Sequence, residues 1–112
     1  VEHIGQGFVE LVENGILTGP EAESVVEKSI RPLIDADADT IVLGCTHYPF
    51  LADTIMKTAG RPITLIDPAP AVAKHLLEVM EEKGLVRMDG FSMSLHSSGD
   101  PATLEKTYNN LI

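Results

Sequence analysis

The sequence has no tryptophan, a single cysteine and only 8 basic residues in 112. Each scarcity excludes something. One cysteine, Cys45, cannot close a disulfide within the chain, so stability must come from packing, and a free thiol suits a reducing compartment. Eight basic against 17 acidic residues leave a formal charge of −9, which repels phosphate backbones and argues against a nucleic-acid partner. No apolar run approaches the ~18 residues needed to span a bilayer, and the chain shows no signal-peptide pattern. The expectation is therefore a cytoplasmic protein without a membrane partner. Repeats and low-complexity tracts are also missing, and a composition 44% hydrophobic and 22% charged describes a chain that buries a core. A start at Val1, inside a helix-like pattern, is expected of a piece cut from something longer.

What is present repeats one grammar: a helix, a short apolar strand, then a Pro-started helix. Phe8, Leu11 and Val12 share one face of a first helix that Gly15 ends. Pro20 with Glu21 and Glu23 opens a second helix, because Pro suits a first turn and acids suit its positive end. Ala22, Val25, Val26, Ser29, Ile30 and Leu33 form its inward stripe, and the acidic stretch from Asp35 to Asp39 closes it. Thr40-Ile41-Val42-Leu43 is a continuous apolar run that predicts a buried parallel strand. Pro49 starts a third helix with Leu51 and Ile55 inward and Gly60 at its end, and Ile63 to Ile66 is a second strand. Asp67 is placed to cap a helix from Pro68 that carries Val72, Ala73, Leu76, Leu77 and Met80 inward. Phe91, Met93 and Leu95 alternate with polar residues and predict a third, half-exposed strand. Asp100-Pro101 caps a last helix with Leu104, Tyr108 and Leu111 on its apolar face. Strands alternating with helices predict an α/β layered fold, although three strands make a thin sheet for a complete doubly wound domain.

The residues with chemistry to offer cluster in Gly44-Cys45-Thr46-His47-Tyr48-Pro49, at the carboxyl end of the first strand and just before a helix. Ligands of open α/β sheets bind at that end. A thiol near a helix N-terminus and an imidazole can be held partly as thiolate, and Cys45 and His47 lie two apart, on one side of an extended turn. Taken alone, a cysteine after an apolar strand is more often a small buried hydrophobe. Cys-x-His is also a fragment of zinc sites, but His3, His75 and His96 do not supply the remaining ligands at metal spacing, so no metal is expected.

The stretch from Asp39 to Leu51, Asp-Thr-Ile-Val-Leu-Gly-Cys-Thr-His-Tyr-Pro-Phe-Leu, closely resembles the second-cysteine motif of bacterial glutamate racemases, within the Asp/Glu racemase superfamily. Phe8 to Gly15 is similar to that family's apolar helix ending in a Glu before a Gly. Ile63 to Asp67 resembles its strand returning to the first domain, and Ser98 to Pro101 the start of its C-terminal helix. The matches follow one order along nearly the whole chain. Gly5-Gln6-Gly7 departs from a usually more hydrophobic lead-in, and no Ala-Cys-Asn-Thr segment, the family's first-cysteine motif, occurs in the sequence.

The resemblance implies a fold of two pseudo-symmetric α/β domains, with parallel sheets, helices on both faces and glutamate held between the domains. Residues 1–66 would be the C-terminal portion of the second domain, carrying the motif. Residues 67–112 would return to pack on the first domain, which this chain lacks. It implies racemisation of L- and D-glutamate by two opposed cysteines, with no cofactor and no metal, supplying D-glutamate for peptidoglycan. Cys45 takes the place of the second-domain acid/base. Thr46 and His47 match substrate-binding positions, His47 also assists the Cys45 thiol, and Glu13 matches the acid that orients that histidine. Implied partners are glutamate, the N-terminal half of the same enzyme and further copies in a homo-oligomer. The nearest other enzyme is an aspartate racemase, against which Thr46-His47-Tyr48-Pro49 favours glutamate. From another class, a non-catalytic α/β binding module would leave Cys45 merely buried and inert to thiol reagents.

Overall fold

The computed structural model describes all 112 residues, Val1–Ile112. Gly7, at φ 80°, turns the chain into helix α1 (Phe8–Glu13), a conformation that costs other residues strain, and its α-carbon backs onto Val25. Phe8, Leu11 and Val12 are buried, on the helical spacing that the sequence predicts. Helix α2 (Pro20–Asp35) opens on its proline and buries Ala22, Val26, Ser29 and Ile30, while Val25 and Leu33 pack at the margin of the core. Asp37 follows in the left-handed region, at φ 62°, which Asp tolerates better than most residues. Arg61 secures this turn, donating from Nη1 to Asp37 Oδ1 at 2.9 Å and from Nη2 to the Ala38 carbonyl at 2.8 Å.

Strand β1 (Thr40–Val42) pairs in parallel with β2 (Thr64–Ile66), in the register Thr40↔Thr64, Ile41↔Leu65 and Val42↔Ile66. The Thr64 amide donates to the Asp39 carbonyl at 2.7 Å and the Leu43 amide to the Ile66 carbonyl at 2.9 Å, so the ladder runs one residue past each end of β1. Between the strands, a 3-10 turn (Tyr48–Leu51) leads into α3 (Ala52–Thr58). The turn starts one residue before the expected Pro49. Leu51 and Ile55 are buried as predicted, and the Thr54 hydroxyl donates to the Leu17 carbonyl at 2.6 Å, tying α3 to the loop before α2.

The core consists of buried apolar residues from Phe8 to Ile63, drawn from α1, α2, β1, the 3-10 turn, α3 and the segment entering β2. No residue after Ile63 is buried. Helix α4 (Ala69–Glu82) forms where the sequence places it, and Asp67 accepts from the Ala69 amide at 2.9 Å. Its inward stripe, however, is not inward: Val72, Leu76 and Leu77 are exposed, Leu76 at 58%. An amphipathic helix covers its apolar face only when another element lies opposite, and this chain supplies none. The third strand is also corrected. Phe91 to Leu95 is irregular and Phe91 is 91% exposed: the segment pairs with neither open edge of the β1–β2 sheet, and an unpaired alternating segment is not a strand. Helix α5 (Pro101–Leu111) is capped by Asp100, whose carboxyl is held below the ordinary aspartate range by the Thr103 hydroxyl, then the Ala102 amide. Leu111 packs against the core. The radius of gyration, 17.0 Å, exceeds the roughly 13 Å of a compact domain of this length, which agrees with a C-terminal part that shares little core.

This division sets a stability contrast. Leu51 is 1% exposed, so Leu51→Ala should destabilise by about 2–5 kcal/mol, whereas Leu76→Ala should change stability by about 0.5 kcal/mol or less. Urea unfolding followed by circular dichroism measures both. Equal losses would show that α4 is packed in solution.

Candidate active site

Gly44 leaves β1 at its carboxyl end, and the next residues bend across the top of the two-stranded sheet. Cys45 is a free, part-exposed thiol there, not the fully buried hydrophobe that its position after an apolar strand suggests. With Gly44, Tyr48, Ile41, Leu43 and Phe8 it lines a cleft of about 620 Å³. The turn closes on itself through the Tyr48 amide donating to the Cys45 carbonyl and the Phe50 amide to the His47 carbonyl, both at 3.2 Å. Thr46 and His47 donate from their amides to no backbone acceptor, which leaves two N–H groups at the head of the turn for an anion.

The fold brings together two residues 34 positions apart. His47 Nε2 lies 2.8 Å from Glu13 Oε1, at the end of α1. An ionised carboxylate only accepts, so Nε2 carries a proton and donates to it. In the neutral ring Nδ1 is then an acceptor, 3.4 Å from the Thr46 hydroxyl. Three of the four residues that the resemblance singles out therefore form one chain, Glu13–His47–Thr46. The structure records no hydrogen bond from the Cys45 thiol, which neighbours this chain through the backbone.

This pair is not held by its own strength. The side chains of His47 and Glu13 are 30% and 47% exposed, and ion pairs in such positions contribute about 0–1 kcal/mol. Behind them, Phe8 at the start of α1 meets Tyr48 edge-on, with ring centroids 5.0 Å apart and planes at 72°. Burying a ring of this size contributes about 1.5–3 kcal/mol and an aromatic contact about 0.5–1.5 kcal/mol more. Packing, more than charge, fixes α1 against the turn. The sequence names Glu13, Cys45, Thr46 and His47 but gives Phe8 only as a helix-face residue and Tyr48 only as part of the motif, and no pattern in it signals their contact.

The chain matches the model of the family described as Asp/Glu/Hydantoin racemase over residues 5–76. It is 40% identical over 105 residues to a glutamate racemase of a Roseiflexus species, an alignment covering 90% of this chain and 38% of that protein. With the glutamate racemase of Ralstonia pickettii it shares 47% identity over 81 residues, 72% of this chain and 29% of that one. Among solved structures, a Thermus thermophilus glutamate racemase in complex with beta-chloro-D-alanine superposes with a TM-score of 0.75 at 33% identity, over 93% of this chain and 40% of that one. The Francisella tularensis glutamate racemase in complex with D-glutamate gives 0.66 at 30% identity, over 75% and 31%. The chain thus spans well under half the length of the relatives it matches.

Proposed function

The chain belongs to the Asp/Glu/hydantoin racemase family, and on that footing we propose that it forms one wall of a glutamate racemase active site. Within this reading, Cys45 serves one face of the substrate α-carbon. Its thiolate accepts the α-proton from one enantiomer, leaving the bonding pair on carbon as a carbanion. A second thiol, carried by a part of the enzyme outside these residues, delivers a proton to the opposite face. In the reverse direction Cys45 gives and the other thiol takes. Each turnover moves protons only, so it balances without an oxidant or reductant, and on this reading the two thiols act without a metal or pyridoxal phosphate. The product role is supply of D-glutamate for peptidoglycan, and the working enzyme is read as a homo-oligomer.

The observation that carries this proposal is the Glu13–His47 pair, assembled across 34 residues beside a part-exposed thiol. A carboxylate that fixes an imidazole by one nitrogen leaves the other to act as an acceptor, the arrangement by which acid–base sites orient a histidine. An α-proton of an amino acid is far less acidic than a thiol. Positioning can supply about 7–11 kcal/mol of the barrier, and donors to the developing charge supply more. The Thr46 and His47 amides are suited to hold the substrate carboxylate. Residues 67–112, whose apolar face on α4 is bare, are read as the segment that packs on the rest of the enzyme. The test is racemisation of D- and L-glutamate by the longer protein containing these residues, followed by circular dichroism, with aspartate as the comparison substrate. Turnover of aspartate in preference to glutamate would overturn the substrate assignment.

His47→Asn in that enzyme should lower turnover by about a hundredfold and slow alkylation of Cys45 at neutral pH, because the ring that the thiol works beside is gone. An unchanged alkylation rate would remove His47 from any part in the thiol's chemistry.

A further inference from the structure

Two residues on either side of the Glu13–His47 contact stand on elements that share the core and also meet through an aromatic joint. Glu13 ends α1, and Phe8 begins it. His47 precedes the 3-10 turn, and Tyr48 is the turn's first residue. The Phe8 ring is 3% exposed and lies edge-on to Tyr48 at 5.0 Å. Gly5 closes this joint from outside. A β-carbon built there would fall 2.7 Å from Phe8 Cδ2, 2.9 Å from Phe8 Cγ and 2.9 Å from Tyr48 Cζ, closer than side-chain carbons approach. The Gly5 carbonyl also accepts from the Phe8 amide at 3.2 Å, so the same residue starts α1 and seats both rings. A side chain at position 5 crowds both rings, and relief by parting them moves the turn away from α1.

We propose that Gly5, Phe8 and Tyr48 are positioning residues that set the Glu13–His47 contact, with the Tyr48 ring and not its hydroxyl carrying the effect. The inference rests on the racemase reading for its consequence in turnover, but the joint itself is a matter of geometry. It also assigns a purpose to the departure at Gly5-Gln6-Gly7: the small residue is what lets the rings close. Parting the joint frees His47 from Glu13, so the imidazole loses the partner that fixes its proton on Nε2 and samples both tautomers. The substrate carboxylate, held at backbone amides, is affected less.

The experiment follows the His47 tautomer by long-range proton–nitrogen correlation spectra of the 112-residue chain, and turnover in the longer enzyme. Tyr48→Phe should keep a single Nε2–H tautomer and near-native turnover. Tyr48→Leu, which keeps apolar volume without the ring edge, and Gly5→Val should give mixed tautomers, with kcat reduced about tenfold to a hundredfold and KM changed far less. Circular dichroism identifies any variant that does not fold, and Tyr48→Phe remains informative in that event. If Tyr48→Phe is as damaging as Tyr48→Leu, the hydroxyl acts directly and the positioning role is wrong. A single tautomer retained in both Tyr48→Leu and Gly5→Val would equally end it. Mixed tautomers with unchanged turnover would leave the joint standing and reject the catalytic role of His47 on which the functional reading depends.

Discussion

Cys45→Ser should remove glutamate racemisation from the enzyme that contains this segment, by at least about a thousandfold, while leaving its fold intact. The size of the effect follows from acidity. A serine hydroxyl is close to a thiol in volume but is not ionised at neutral pH, so it neither accepts the α-proton nor returns one at a useful rate. The small structural cost follows from exposure: Cys45 is only part-buried and its side chain makes no recorded hydrogen bond, so the exchange leaves no buried polar atom unpaired. One further signature separates loss of a base from general damage. With one thiol left, exchange of the substrate α-proton with solvent should survive from one enantiomer and vanish from the other. Proton NMR in deuterium oxide reads this directly. Racemisation by Cys45→Ser at the native rate would refute the assignment of the thiol as acid/base.

The 112-residue chain by itself should show no glutamate racemisation above background and should self-associate. On the proposed mechanism two thiols are required, and the sequence contains one. Removing a single member of a catalytic set costs orders of magnitude, and on the proposed reading the opposite wall of the site lies outside these residues. Association follows from the surfaces. The sheet has two strands, so both of its outer edges are unpaired, and Ile66 on β2 and Val72, Leu76 and Leu77 on α4 are exposed. Open edges and contiguous apolar faces recruit partners, and exchange of the segment after Asp67 between copies is one economical way to cover them. Sedimentation velocity across a range of concentrations measures the association, and circular dichroism of added D- or L-glutamate measures the activity. Clear conversion by the pure chain would overturn the two-thiol mechanism, and a monomer at all concentrations would show that these surfaces cover one another. On the same reading, supplying the N-terminal half of a glutamate racemase in trans should restore some turnover.

Helices α1, α2 and α3 were legible because their buried residues recur at helical spacing between strong punctuation: Gly15, Pro20, Gly60. The stripe Ala22, Val26, Ser29, Ile30 could be read directly, and so could the apolar run that becomes β1. The motif around Cys45 was legible as a resemblance and by its place after a strand. The failures share one cause. Leu76 and Leu77 were read as inward, and Phe91 to Leu95 as a strand, because an apolar pattern records what a segment covers in the complete fold. It does not record whether the covering element is present in the same chain. Here no such element lies opposite them, and these residues face solvent.

The sequence by itself determined the α/β grammar, the acidic charge, the lone thiol and its position at the carboxyl end of a strand. These depend on spacing and composition, which act locally along the chain. The resemblance implies that Glu13 orients His47, but tertiary structure alone gave the 2.8 Å contact, left Cys45 accessible, and set Gly5 where an added β-carbon would crowd Phe8 and Tyr48. Each of those is a contact between residues far apart in number or a matter of ångströms between rings. Both are set by how α1 and the 3-10 turn pack together, a quantity that no periodicity in the sequence encodes.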